Sequence, residues 1–246
     1  MSLFPGYLIF SRKNPLNLNM QIPQHIILFP DGNRRWAKEK GIRSLEGHRE
    51  GYNNLLKFTE WCKNRGVKVV TAFGFSTENW NRSKEEVDYL MKLLEACLLD
   101  NLENYKKEEV RVRVIGERER LPESLKKAIE KTEEATKNNS SLFLNLAISY
   151  GGRWDILNAA KKIIEEGIPA EEVNEKLFEK YLSTGGLPAP DLVIRAGGEM
   201  RMSNFLLWQT AYSELYFSPK FWPDFTEEDL DQALAEFDKR SRRFGK

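Results

Sequence analysis

The chain has 246 residues, with 38 Lys plus Arg against 37 Asp plus Glu, and so a formal net charge of only +1. That balance argues against a general electrostatic grip on nucleic acid, and 41% hydrophobic with 30% charged residues excludes both a disordered chain and an integral membrane protein. Two cysteines outside any CxxC pattern (Cys62, Cys97) and two histidines (His25, His48) exclude a disulfide scaffold, a thiolate zinc site and a multi-histidine metal centre, and suit a reducing cytoplasm.

Residues 1–24 read as a flexible N-terminal extension. Their apolar run is short, is broken by Pro5 and Gly6, and is followed by Arg12 and Lys13, which is the wrong polarity for a secretory signal. Met20 is a candidate natural start, and Leu3–Phe10 a candidate lipid contact. From 25 to 246 short apolar runs alternate with helical patterns. Strands are predicted over 25–30, 67–74, 110–115, 142–148, 191–195 and 214–217, and helices near 48–65, 84–105, 123–137, 153–166, 171–182 and 226–240. Sustained strand–helix alternation without repeats or linkers predicts a single α/β domain with a mainly parallel sheet. The helix over 84–105 carries a core stripe (Val87, Leu90, Met91, Leu94, Leu98) and further apolar residues on other faces (Tyr89, Leu93, Ala96, Cys97, Leu99). It is either packed between the sheet and a partner subunit or lines an apolar tunnel. Ser83 and Glu86 match a capping box at its start.

Four predicted strand ends carry polar clusters, the place where open parallel sheets bind ligands. Asp31-Gly32-Asn33-Arg34-Arg35-Trp36 follows the first strand; a carboxylate, an amide and two guanidiniums entering a helix suit a diphosphate with a hard cation, although D-G-N is also an ordinary turn. Ser76-Thr77-Glu78-Asn79-Trp80-Asn81-Arg82 follows the second and reads as a lid or as a polar connection anchored by Trp80. Ser149-Tyr150-Gly151-Gly152-Arg153 offers a glycine turn after the fourth. Arg195 to Asn204 follows the fifth, with Arg201 and Ser203 completing a second phosphate-type set; Glu199 reads as the ion-pair partner of a neighbouring arginine, and Glu214 as a further cation ligand. Neither a GxGxxG nor a P-loop is present to account for these clusters.

Taken in order, HIILFPDGNRRWA (25–37), GH (47–48), FSTENWNR (75–82), SYGGRWDI (149–156), PDLVIRAGGEMRMSNFLLWQTAYSELYF (190–217) and the terminal RFG (243–245) resemble the cis-prenyltransferase family, most commonly represented in bacteria by undecaprenyl diphosphate synthase. The resemblance covers nearly all of 25–245. It implies a six-stranded parallel sheet flanked by helices and enclosing an apolar tunnel, Mg²⁺ as cofactor, a homodimer, and condensation of isopentenyl diphosphate with an allylic prenyl diphosphate primer. Asp31 is implied as the essential carboxylate and Asn79 as a catalytic lid residue. Gly32, Asn33, Arg34, Arg35, Trp36 and His48 are implied around the primer diphosphate, and Ser76, Thr77, Glu78, Trp80 and Arg82 in the lid. Arg195, Arg201 and Ser203 would hold isopentenyl diphosphate, Asp31 and Glu214 would ligate the metal, and Arg243 would reach a partner subunit's site.

The chain departs from the family pattern at Pro30, Arg34, Ala196-Gly197, Met200 and the displaced Arg43, and none of these removes a main motif residue. Either Asp31 or a diphosphate oxygen would take the proton lost in condensation. The 84–105 helix and the 142–148 strand are the expected tunnel walls, with Leu142 at the floor and extra room at Gly74. A farnesyl primer and a C55 product for a cell-wall lipid carrier are expected, released by a cytoplasmic enzyme with peripheral membrane contact. A C10–C20 product is the alternative; a non-catalytic subunit of a heteromeric transferase is disfavoured because Asp31, Asn79 and Arg82 are all retained.

Overall fold

The computed structural model describes residues 20–240. Six strands form one sheet in the order β3-β4-β2-β1-β5-β6: β1 His25–Phe29, β2 Val69–Ser76, β3 Val110–Ile115, β4 Leu142–Tyr150, β5 Leu192–Arg195 and β6 Glu214–Phe217. Every pairing is parallel. The central β1, HIILF, is buried along its whole length, as expected of a strand covered on both faces by helices. The helices are α1 Asn33–Glu39, α2 Ser44–Asn64, α3 Lys84–Asp100, α4 Leu102–Lys107, α5 Glu123–Thr136, α6 Gly152–Glu165, α7 Glu175–Tyr181 and α8 Glu227–Asp238. No helix among the described residues is long and apolar enough to cross a membrane.

From β1 the chain adds β2 alongside, runs to the edge as β3 and returns to place β4 between β2 and β3, then crosses to the other side of β1 for β5 and β6. The order therefore reverses at β1, and the crevice beyond the carboxyl ends of β1 and β5 is the topological switch point where open α/β sheets bind ligands.

Two predicted helices differ in detail. The 84–105 helix is interrupted at Asn101, a non-helical residue (φ −104°, ψ 8°) whose Nδ2 donates to the Tyr52 hydroxyl at 2.5 Å, and the chain resumes as α4. The 171–182 pattern splits into a 3₁₀ turn at Ala170–Glu172 and the shorter α7, because Asn174 caps α7 by accepting from the Leu177 N–H at 3.0 Å. The capping box at Ser83 is half formed. Ser83 Oγ accepts from the Glu86 N–H at 3.3 Å, while the Glu86 carboxylate turns instead to Arg82 at 2.8 Å.

A buried polar line crosses three strands. His25 Nδ1 lies 2.8 Å from the Pro188 carbonyl and so carries the proton, leaving Nε2 to accept from Thr71 Oγ1 at 2.8 Å; Thr71 in turn accepts from Asn145 Nδ2 at 3.2 Å. Burial lowers the His25 pKa from 6.5 to about 4, against the smaller raising effects of the Pro188 carbonyl and Asp191. Between those values the unfolded chain binds a proton that the native state refuses, so stability is fully present above pH 6.5 and is lost as pH falls toward 4. The loss through this residue reaches about 3 kcal/mol. Urea unfolding at pH 7.5 and pH 5 should show the decline, and His25→Asn should reduce it, leaving the share carried by His48.

Candidate active site

The first cluster is built on the turn after β1. Gly32 has φ +101°, and a Cβ there would lie 2.6 Å from Phe221 Cδ1, so only glycine fits. The Asp31 carbonyl accepts from the Trp222 N–H at 2.9 Å, and Trp222 Nε1 donates to the Gly51 carbonyl at 2.6 Å, which ties the turn to α2. Asp31 Oδ1 accepts from the Gly32 N–H at 2.6 Å and lies 3.4 Å from Arg35, and Oδ2 accepts from Arg195 at 2.8 Å. Arg195, the last residue of β5, is only 3% exposed. Its guanidinium lies over the Phe29 ring at 4.9 Å and donates to Ser203 Oγ at 2.9 Å and to the Arg201 carbonyl. Glu199 pairs with Arg35 at 3.1 Å and with Arg201, the ion-pair role read for it in the sequence. Gly197 (φ +88°) turns the chain against this cluster, and a Cβ there would come within 2.9 Å of Arg35.

The second cluster gathers around Glu86 in the first turn of α3. Its carboxylate lies 2.8 Å from Arg82, 3.5 Å from His48 and 3.8 Å from Arg34, so one acid gathers guanidiniums from the lid and α1 and an imidazole from α2. Burial, with the Arg82 and Arg34 charges, lowers the His48 pKa to about 4 against the raising effect of Glu86; the imidazole is therefore neutral at pH 7. Glycine explains the approach of α2: a Cβ at Gly47 or Gly51 would penetrate the Asn33 carbonyl or side-chain amide. Three buried polar atoms at this wall, Asn33 Oδ1, Ser44 Oγ and His48 Nε2, have no hydrogen-bond partner, a surplus of binding capacity that an external ligand would use.

Both clusters open into one cavity of about 1230 Å³. Asp31, Gly32, Asn33, Arg34, Arg35, His48, Ser76, Glu78, Asn79, Arg82, Arg195, Arg201 and Ser203 line it, and it continues between β2, α2 and α3 over Leu55, Phe73, Gly74, Leu90, Leu93, Leu94 and Cys97. The tunnel wall is thus α3 with α2 and β2. The expected contribution of β4 is corrected: no β4 residue lines the cavity, and Leu142 is fully buried in the core. Gly74 does lie on the wall, where a Cβ would stand 3.3 Å from the Ala147 carbonyl and 3.6 Å from Leu94 Cδ2.

The lid is a 3₁₀ turn, Thr77–Asn81. Asn79 Oδ1 accepts from the Ser76 N–H at 3.0 Å. Trp80 is the anchor: it packs edge-on against Phe75 at 5.0 Å, and its Nε1 donates to Ser149 Oγ at 3.0 Å. Trp36, Thr77 and Trp80 do not line the cavity. Glu214 is not brought to Asp31 within one chain. It is level with Leu192, three residues or about 10 Å behind Arg195 along the strands, and pairs with Arg240 at 3.1 Å. Arg43 is exposed and paired with Glu46 at 3.0 Å, and Arg243 lies outside the described residues. Sequence reasoning missed Glu86 as a site residue, along with Trp222, Tyr52 and Arg153; Glu86 was visible only as half of a cap.

A half-buried acid between guanidiniums at a sheet's switch point, a second cationic set beside it and an apolar cavity behind both suit anionic groups that carry apolar tails. The comparisons name the class: residues 29–245 match the family described as "Putative undecaprenyl diphosphate synthase", and the chain belongs to that family of isoprenyl transferases. It is 48% identical over 228 residues to an isoprenyl transferase of Bacillus thuringiensis subsp. konkukian, covering 91% of this chain and 88% of that protein. It is 46% identical to one of Thermotoga maritima, covering 92% and 98%. Among solved structures it is similar to lavandulyl diphosphate synthase from Lavandula x intermedia in complex with dimethylallyl diphosphate (41% identity, TM-score 0.88, 92% of this chain and 99% of that one). It is also similar to a probable undecaprenyl diphosphate synthase from Campylobacter jejuni (38%, TM-score 0.78, 92% and 100%).

Gly51→Ala tests the close approach of α2. The methyl group must displace Asn33, so the variant should unfold about 1–3 kcal/mol more easily than wild type in urea.

Proposed function

We propose that the chain condenses isopentenyl diphosphate with an allylic primer, farnesyl diphosphate first among candidates, to give a Z-polyprenyl diphosphate of the undecaprenyl class. The observation that carries this reading is the continuity of two cationic clusters with one apolar cavity. The primer diphosphate sits among Asn33, Arg34, His48 and Arg82 with its tail along α3, and isopentenyl diphosphate sits on Arg35, Arg195, Arg201 and Ser203. Asp31 lies at the head of both sets. Breaking the allylic carbon–oxygen bond leaves negative charge on the departing diphosphate, which the guanidiniums stabilise, while the apolar wall keeps water from the allylic cation. The double bond of isopentenyl diphosphate attacks that cation, and the proton then lost passes to Asp31 or to an oxygen of the departed diphosphate.

Among the described residues no group of three His, Cys, Asp or Glu side chains is arranged to hold a metal. One carboxylate at the cavity mouth fits Mg²⁺ that arrives with the diphosphate, since Mg²⁺ is commonly held by one or two carboxylates plus substrate phosphates. Asp31 would be its protein ligand, and its chemistry would be charge neutralisation at the leaving group. Glu214, engaged by Arg240, is set aside as a second ligand within the chain. A homodimer through the α6 face accounts for Leu157 and Ile164, which are 63% and 76% exposed and two helical turns apart.

The test is incubation with labelled isopentenyl diphosphate, Mg²⁺ and C10, C15 or C20 allylic diphosphates, followed by product sizing. Wild type should elongate and Asp31→Ala should lose at least about 100-fold in rate; no incorporation with any primer contradicts the reading. Gly74→Leu should shorten the products by filling the cavity beside Leu94. Leu142→Ala should leave their length unchanged, because the residue lies off the cavity; longer products would return the floor to β4. The alternative C10–C20 reading predicts that wild type itself stops at those lengths.

A further inference from the structure

Ser203 and Asn204 stand side by side and face different parts of the site. Ser203 accepts from Arg195 at 2.9 Å, within the cluster assigned above to isopentenyl diphosphate. Asn204 spends every polar group of its side chain on other segments. Its Nδ2 donates to the Glu78 carboxylate of the lid at 2.8 Å, and its Oδ1 accepts from the Arg153 N–H at 2.9 Å. Its carbonyl accepts from the Gly152 N–H at 2.6 Å.

The backbone here is held in an uncommon conformation. Ser203 (φ 45°), Asn204 (φ 62°) and Leu206 (φ 46°) are all left-handed, a cluster of strained residues that persists only where the surroundings over-determine it. Gly151 makes the junction close. A Cβ there would lie 2.6 Å from Thr77 Oγ1 and 2.8 Å from Asn204 Nδ2, so lid, α6 start and Asn204 meet at one point that admits no side chain. The lid segment that rests on this junction also carries Arg82 to the second cluster.

We infer that Asn204 is a positioning residue that latches the lid to the isopentenyl diphosphate cluster, so that a diphosphate held by Arg195 and Ser203 tightens the grip on the allylic diphosphate beneath the lid. The inference rests on the prenyl-transfer reading above. Ligand contact at Ser203 fixes the neighbouring Asn204, Asn204 fixes Glu78, and Glu78 fixes the turn that presents Asn79 and Arg82. Coupling of this kind is reciprocal: each diphosphate raises affinity for the other by the same factor.

The test is calorimetric titration of the protein with an unreactive farnesyl thiolodiphosphate, with Mg²⁺ present, alone and at saturating isopentenyl diphosphate. In wild type the second ligand should tighten the first by at least about 5-fold. Asn204→Gly keeps a residue at ease in the left-handed region and removes the latch. It should bring the factor to about 1 and leave affinity for isopentenyl diphosphate alone within about 3-fold of wild type. Asn204→Asp retains the acceptor for Arg153 but sets a carboxylate against Glu78, and should lose the coupling in the same way while preserving the fold. Unchanged coupling in both variants, an equal fall in both affinities with the factor retained, or no coupling in wild type would each overturn the latch. Wild type that binds neither diphosphate would overturn the prenyl-transfer reading itself.

Discussion

Arg195 and Asp31 meet 2.8 Å apart where β5 and β1 end side by side, and the guanidinium is almost wholly withdrawn from water. A buried cation is costly unless it is paired and hydrogen-bonded. Here the carboxylate, Ser203 Oγ, the Arg201 carbonyl and the face of Phe29 supply the compensation. The result is a fixed positive group at the switch point of the sheet with an acid beside it. The A-G-G turn, the position of Arg201 and the orientation of Ser203 all follow from the need to surround that one guanidinium.

Close packing transmits this arrangement to the rest of the cavity. Trp222, without exposed surface, joins the Asp31 turn to α2, and the glycines of α2 let the helix rest directly on Asn33. That contact brings His48 near Arg34, and Glu86 then gathers both with Arg82. An acid that does not itself line the cavity thus holds two guanidiniums and a neutral imidazole that do. The two polar clusters share one mouth, and the apolar channel behind them takes part of its wall from the second face of α3.

Much of this was legible before the structure. The strands at 110–115 and 214–217 coincide with β3 and β6, because short β-branched and aromatic runs bounded by turn residues leave little choice. The polar clusters fell at strand ends, where an open parallel sheet binds its ligands, and the ordered motif resemblance pointed to the family. What stayed hidden depended on contacts distant in sequence. Asn101 breaks its helix for the hydroxyl of Tyr52, Glu86 leaves its cap for arginines and a histidine, and Leu142 lies in the core while the channel runs past β2. Glu214 could not be placed from residue type alone: within one chain the register sets it at the opposite end of β6 from Asp31.

The measurement that bears most directly on this account is the affinity of isopentenyl diphosphate, by calorimetry with Mg²⁺, for wild type and for Arg195→Met. Methionine retains much of the side-chain volume, and Arg35 still pairs Asp31, so the variant should remain folded by circular dichroism. The account predicts a loss of affinity of at least about 10-fold from removal of a buried charge-assisted donor. Binding within about 2-fold of wild type by a folded Arg195→Met protein would contradict it.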